Sequence, residues 1–361
     1  MEHGAAVGGD GPALVAQRLE VARRIVDALF PGAVPADQTP PLFFLPALEA
    51  PGARFVDLRR RLEPLGFLPL LRRRGGRLAL LLLPKPPRGR WAWQVNLLLL
   101  LATVATTFVA GYLQSQALMR AGFLDAPVAG GALFSASVMF ILGAHEMGHK
   151  LVAIRRGIDA SLPYFLPMLP PVGTMGAVIV TRTPAPDRDS LMDLGASGPV
   201  AGFLAAIPVL LYGISRSYVV TPTGLEGFLA IPDPLLIRWL VDWLLPRPPD
   251  AVVLGHPVLF AGWIGLIVTS INLLPAGMLD GGHAVRALFG PRVHQVVSYA
   301  GAALAAVMGF LPMALLILLL MRRGHVGPLD DVTPVSRSRW LVGGVLVVIF
   351  LLSAVRLPMG W

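Results

Sequence analysis

His145-Glu146-Met147-Gly148-His149 sets two imidazoles four residues apart, with a carboxylate next to the first. On a helix, positions i and i+4 lie on one face, so both rings can reach one metal ion. This ligand type and spacing fit Zn²⁺, one per chain, with Glu146 as general base towards a metal-bound water. A catalytic zinc also needs a third protein ligand and an open position. Glu226 is the only glutamate downstream of the motif, and it falls in a loop expected on the other side of the bilayer. The better candidate is Asp280, in Asn272-Leu273-Leu274-Pro275-Ala276-Gly277-Met278-Leu279-Asp280-Gly281-Gly282-His283. It follows an uncharged run over 251–279, at the end of a span on the same side as the two histidines. The alternative for Asp280 is a capping or turn aspartate. His283 could be a fourth ligand, but a supporting or interface role fits it better, and His256 and His294 read as lone interface histidines.

The elements that must hold these groups are membrane helices. The 361 residues are 55% hydrophobic and 14% charged, against about 25% charged in a soluble domain. Uncharged runs near the length of a bilayer span occur at 91–113, 126–144, 194–215, 257–274, 293–321 and 340–355, which counts to six. The run at 293–321 holds Gly301, Gly309 and Pro312 and could instead be a tight hairpin. The net charge is +9, which in such a chain reflects positive flanks rather than nucleic-acid binding, and no nucleic-acid partner is expected. The basic residues over 72–90 put the N-terminal part in the cytoplasm by the positive-inside rule, and Lys150, Arg155 and Arg156 end the second span on that side. Arg322 and Arg323 conflict with this order, because they would follow the fifth span on the outside. There is no cysteine, which removes disulfides and thiol chemistry.

Residues 1–90 read as a small soluble α+β domain and 91–361 as the membrane-embedded catalytic domain. In the first, helical periodicity covers 14–30 and 55–65. Strands are expected at 67–71 and 78–83 around a Gly75-Gly76 turn, with Pro-rich linkers at 31–46 and 84–87. Between the second and third spans, Gly173-Thr174-Met175-Gly176-Ala177-Val178 opens a β-branched, apolar stretch that reads as a strand. Non-helical backbone at membrane depth must be buried in protein or line a watery cavity, and a strand edge there could pair with an extended substrate. The plain alternative is a hairpin loop on the cytoplasmic surface. Gly195, Gly198 and Gly202 most simply mean close helix packing.

The ordered pair His-Glu-x-x-His and Asn-x-x-Pro…Leu-Asp-Gly closely resembles the site-2 protease family, over roughly residues 91–321. Leu329-Asp330-Asp331-Val332-Thr333-Pro334 is similar to a segment of the branch that includes plant chloroplast members. The resemblance implies a polytopic, all-α membrane bundle of about six helices with a re-entrant β element. It implies His145, His149 and Asp280 as zinc ligands and Glu146 as general base. Asn272 would orient substrate or steady the oxyanion, the alternative being a helix–helix hydrogen bond, and Gly173 to Val178 would form the strand beside the site. It also implies substrates with a single span, already trimmed by another protease and often controllers of transcription, cut inside the bilayer of a bacterial inner membrane. The family's PDZ domain has no counterpart, because 216–256 is too short for one. Two rival readings are a zinc transporter, disfavoured because the ligands sit at one end of the spans only, and a catalytically silent relative, disfavoured by the intact motif.

Overall fold

The computed structural model describes residues 12–36, 38–46, 51–86, 92–221, 232–307, 311–322 and 326–355. Trp91, Glu226, Gly309 and Arg323 lie outside them.

The N-terminal part is an α+β unit. Helix α1 (Pro12–Leu29) and helix α2 (Gly52–Leu62) lie against a four-stranded antiparallel sheet of order β1-β2-β4-β3. Its strands are β1 (Val34–Ala36), β2 (Leu42–Leu45), β3 (Phe67–Arg74) and β4 (Arg77–Pro84). Ala22 and Val26 of α1, Phe30 just past its end, and Phe55, Leu58 and Leu62 of α2 recur at helical spacing and are all buried in one core. Gly75 and Gly76 both take positive φ, 55° and 80°, as a two-residue hairpin requires. The stretch expected as a linker, 31–46, instead contributes β1 and β2. Its prolines do not prevent the strands: Pro35 sits within β1 on the edge of the sheet, and Leu42-Phe43-Phe44-Leu45 pairs directly with β4.

The rest is mostly helical, and three helices are long and apolar enough to cross a membrane: α3 (Trp93–Arg120), α4 (Pro127–Arg156) and α5 (Arg188–Ser215). Among the described residues these three alone meet that length and composition, so six spans are not confirmed. Helix α7 (Pro257–Asn272) is a shorter apolar helix, and α10 (Arg337–Ser353) has 17 residues. The run expected as one span at 293–321 is divided between α8 (Asp280–Val307) and α9 (Leu311–Met321). Helix α9 packs back on α8, with Ile317 against Ala302 and Ala276, so the hairpin alternative describes this region better. Arg322 directly follows α9. Four residues beyond it, the Val326 carbonyl accepts a bond of 2.8 Å from Arg72 of the N-terminal sheet. The chain has therefore returned to the side of that sheet.

Helix α8 is broken at Gly290 (φ 82°, ψ −175°) before Pro291. A straight helix would carry residue 294 about 21 Å beyond residue 280. Instead His294 Nε2 lies 2.8 Å from the Gly277 carbonyl, and Ser298 Oγ accepts the Gly277 N–H at 2.9 Å. His294 is therefore a buried brace of the turn before Asp280, not an interface histidine. His256 likewise caps α7, taking the Val258 N–H at 3.2 Å on its ring nitrogen.

Between α4 and α5 runs an antiparallel hairpin, β5 (Tyr164–Pro167) and β6 (Thr174–Val178). It rests on α3, whose polar side chains bond its backbone. Asn96 donates to the Leu162 and Pro163 carbonyls, Thr106 to Gly173 at 2.7 Å, and Gln114 to Pro171 at 2.9 Å. The interval 216–256 forms a second hairpin, β7 (Tyr218–Val220) with β8 (Val252–Leu254), and α6 (Leu235–Leu244).

Candidate metal centre

Helix α4 delivers His145 and His149 from adjacent turns of one face. Helix α7 ends at Asn272, and the chain turns through Pro275 and Gly277 (φ 56°) before Asp280 opens α8. Only glycine fits the inside of that turn. A Cβ at Gly281 would strike the Leu273 carbonyl, and one at Gly282 the Gly277 carbonyl. The turn brings Asp280 Oδ2 to 3.3 Å from His145 Nε2 and 3.3 Å from His149 Nε2, with the two imidazole nitrogens 3.2 Å apart. Four ligands at about 2.0–2.1 Å in a tetrahedron stand roughly 3.3–3.4 Å from one another. The three atoms therefore already sit at the edge lengths of one face of a zinc tetrahedron. Among the described residues, this is the one group of three or more metal-binding side chains with ligand atoms close enough for an ion.

The surroundings fix the ligands. His149 Nδ1 lies 2.8 Å from the Leu194 carbonyl. With the proton on Nδ1, that bond presents the Nε2 lone pair to the metal. Helix α5 passes so close that a Cβ at Gly198 would fall into the His149 ring, and one at Gly202 would be 3.0 Å from His145 Nδ1. A Cβ at Gly195 would be 2.8 Å from the Asp280 carbonyl and 2.9 Å from the Cβ of His283. The glycine stripe therefore does more than let helices pack, because it makes room for the ligand side chains. Spacing alone revealed the close approach, but not what approached.

His145 and Glu146 are 3% and 4% exposed. Glu146 is next in sequence to a ligand, and burial in a dry site strengthens its electrostatic coupling to a cation. Asn272 Nδ2 is 3.3 Å from His145 Nε2, which puts an amide donor beside the same point. His283 lies in the first turn of α8 and does not join the ligand group.

In the hairpin, Gly173 (φ 81°) lies against the α3 backbone, where a Cβ would be 2.7 Å from the Thr106 carbonyl. Thr174 is buried, bonding the Leu166 carbonyl at 3.0 Å and accepting the Gly176 N–H at 3.0 Å. Met175 is 70% exposed, Ala177 half-buried and Val178 exposed. Strand β6 packs against α3 and against α4, the helix of the two histidines.

The relatives similar to this chain include three plant proteins. The "Probable zinc metalloprotease EGY1, chloroplastic" of Arabidopsis thaliana is 31% identical over 60% of this chain and 41% of its own. The "Probable zinc metalloprotease EGY2, chloroplastic" of the same plant is 30% identical over 63% and 41%. The "Probable zinc metalloprotease EGY3, chloroplastic" of Oryza sativa subsp. indica is 30% identical over 60% and 41%. The match thus spans about two fifths of the length of these relatives. No solved structure matches the chain significantly. Peptidase family M50 matches residues 133–236 and 246–317, a region that holds both histidines, Glu146, Asn272 and Asp280. Family match and geometry converge on the same residues, and the chain belongs to peptidase family M50.

Proposed function

We propose that this protein is a membrane-embedded zinc endopeptidase that hydrolyses peptide bonds in or beside the membrane-spanning segments of other proteins, as in regulated intramembrane proteolysis. The observation that carries this reading is the mutual spacing of His145 Nε2, His149 Nε2 and Asp280 Oδ2, 3.2–3.3 Å, at the end of an apolar helix. Bound there, zinc supplies a water of lowered pKa and an electrophile for the scissile carbonyl. Glu146 accepts the proton from the attacking water and returns it to the leaving amine. The Asn272 amide donates to the carbonyl oxygen as it gains charge.

A substrate helix keeps its carbonyls in its own hydrogen bonds, so it must be unwound before hydrolysis. The free edge of β6 offers backbone partners to such an extended segment, and residues 173–178 would hold it by strand addition. The substrate is a single-span membrane protein, and the lipid bilayer is the second partner. The division near residue 90 separates a cytoplasmic unit from the catalytic membrane domain. The chloroplastic names of the relatives give no support to a bacterial inner membrane, so the reading is of an integral membrane protein without that assignment.

The test is co-expression with a single-span reporter. Glu146→Gln is expected to lower cleavage by about 10²–10⁴-fold while zinc content stays unchanged. Cleavage by Glu146→Gln at the wild-type rate would overturn the catalytic reading. Full zinc content in Asp280→Ala would overturn the ligand assignment.

A further inference from the structure

The first half of α8 begins at Asp280 and ends at the Gly290 break, so the third ligand sits on a helical piece of about three turns. The far end of that piece is tied down by charge. Arg286, 3% exposed, forms a bidentate pair with Asp331 at 2.8 and 2.7 Å. Arg188, at the start of α5, donates to the Ala287 and Leu288 carbonyls at 2.7 and 2.9 Å. Gly327 leaves the space that the Arg286 guanidinium fills, since a Cβ there would collide with it.

Asp331 belongs to a strap, residues 326–333, that joins the two parts of the molecule. Strand β3 is an edge of the N-terminal sheet, and the strap covers that edge. The Leu71 N–H donates to Leu329 at 2.8 Å, and the Asp331 N–H donates to Leu71 at 3.3 Å. On its other side the strap pairs with the residues before α5. Leu329 donates to the Ala185 carbonyl at 2.8 Å and Asp330 to Pro186 at 2.9 Å. The Leu329 side chain is buried in the core of the N-terminal unit. Arg72 of β3 donates to the Leu329 and Val326 carbonyls and lies 3.9 Å from Asp331. Asp331 therefore stands between an arginine of the N-terminal sheet and an arginine on the helix that carries Asp280.

We propose that the docked N-terminal unit sets the position of the metal carboxylate through Arg72, Asp331 and Arg286, so that zinc affinity depends on that docking. Asp331 and Arg286 are positioning residues, which act on the site only through the α8 piece that carries Asp280. A buried ion pair broken on one side leaves an uncompensated charge, and the helix end must move to solvate it. Asp280, at the other end of the same short piece, moves with it. Hydrogen-bond supports behind metal ligands commonly change metal affinity 10–100-fold when removed.

The inference rests on zinc at His145, His149 and Asp280, but not on peptide hydrolysis. A protein that binds zinc and cuts nothing would remove the proposed function and leave this coupling open to measurement. The experiment uses the full chain in detergent micelles, with zinc affinity read by competition against a chromophoric chelator and amide exchange read by mass spectrometry. Asp331→Asn and, separately, Arg72→Met are expected to weaken zinc about tenfold or more. Exchange should rise in 280–289, with protection kept in 67–84 and 188–215. Arg61→Ala, which removes only the exposed pair with Asp57, should bind zinc as wild type does. Zinc affinity within twofold of wild type in both variants would overturn the proposal. So would weakened affinity with protection lost throughout 67–84 and 188–215, which would mean general unfolding.

Discussion

A methyl group added to Gly198 would land inside the His149 imidazole, whereas one added to Gly143 on α4 would meet nothing within 4 Å. The two substitutions make a matched pair. Gly143→Ala should leave zinc binding unchanged, since it adds helix propensity in open space. Gly198→Ala should weaken zinc by tenfold or more in the same chelator competition, because the ring that carries the ligand must give way. Equal affinity in the two variants would show that α5 does not hold the ligand. At this scale much of the site was legible in the sequence. The histidine pair and Glu146 are local in the chain, and Asp280 is the acid that ends the long uncharged run. The Leu194 carbonyl behind His149 and the arginine fork on Asp331 were not, since neither is marked by residue type or spacing.

The element most open to test is the β5–β6 hairpin, which is held on α3 by side-chain bonds to its carbonyls. Thr106→Val removes the 2.7 Å bond to Gly173 while keeping shape, a loss of about 1 kcal/mol. If β6 carries an extended substrate, a looser hairpin should raise KM for a membrane-span substrate several-fold and leave zinc affinity untouched. An unchanged KM with a lowered kcat would instead tie the hairpin to the chemical step. The strand at 174–178 was readable from its β-branched pattern, but its partner Tyr164–Pro167 was hidden among prolines. The same blindness cost β1 and β2, short strands in a Pro-rich stretch, of which β1 pairs with β2 and β2 with β4, more than 30 residues on. The run at 293–321 was read as one span for a related reason. Hydropathy registers apolar length, but it does not register that α9 packs back on α8 within the run 293–321, so one long run became pieces of two helices.

At the scale of the whole molecule, zinc would be a cross-link between α4 and α8, elements more than 120 residues apart that meet across α5. A ligand bound only by the folded state stabilises it by RT ln(1 + [L]/Kd), about 4 kcal/mol when free zinc is a thousand times its dissociation constant. The three ligand side chains also need the cation more than exposed ones would, because His145, His149 and Asp280 are largely withdrawn from water. Chelation should therefore lower the apparent melting temperature of the wild-type protein by several degrees, and added zinc should restore it. Glu146→Gln should keep that zinc-dependent shift, since it leaves all three ligands in place, while Asp280→Ala should melt at one temperature with or without zinc. A wild-type protein whose melting is indifferent to chelation would mean that α4 and α8 are held together by helix packing alone. The approach of Asp280 to the two histidines would then be a feature of the fold and not a metal site.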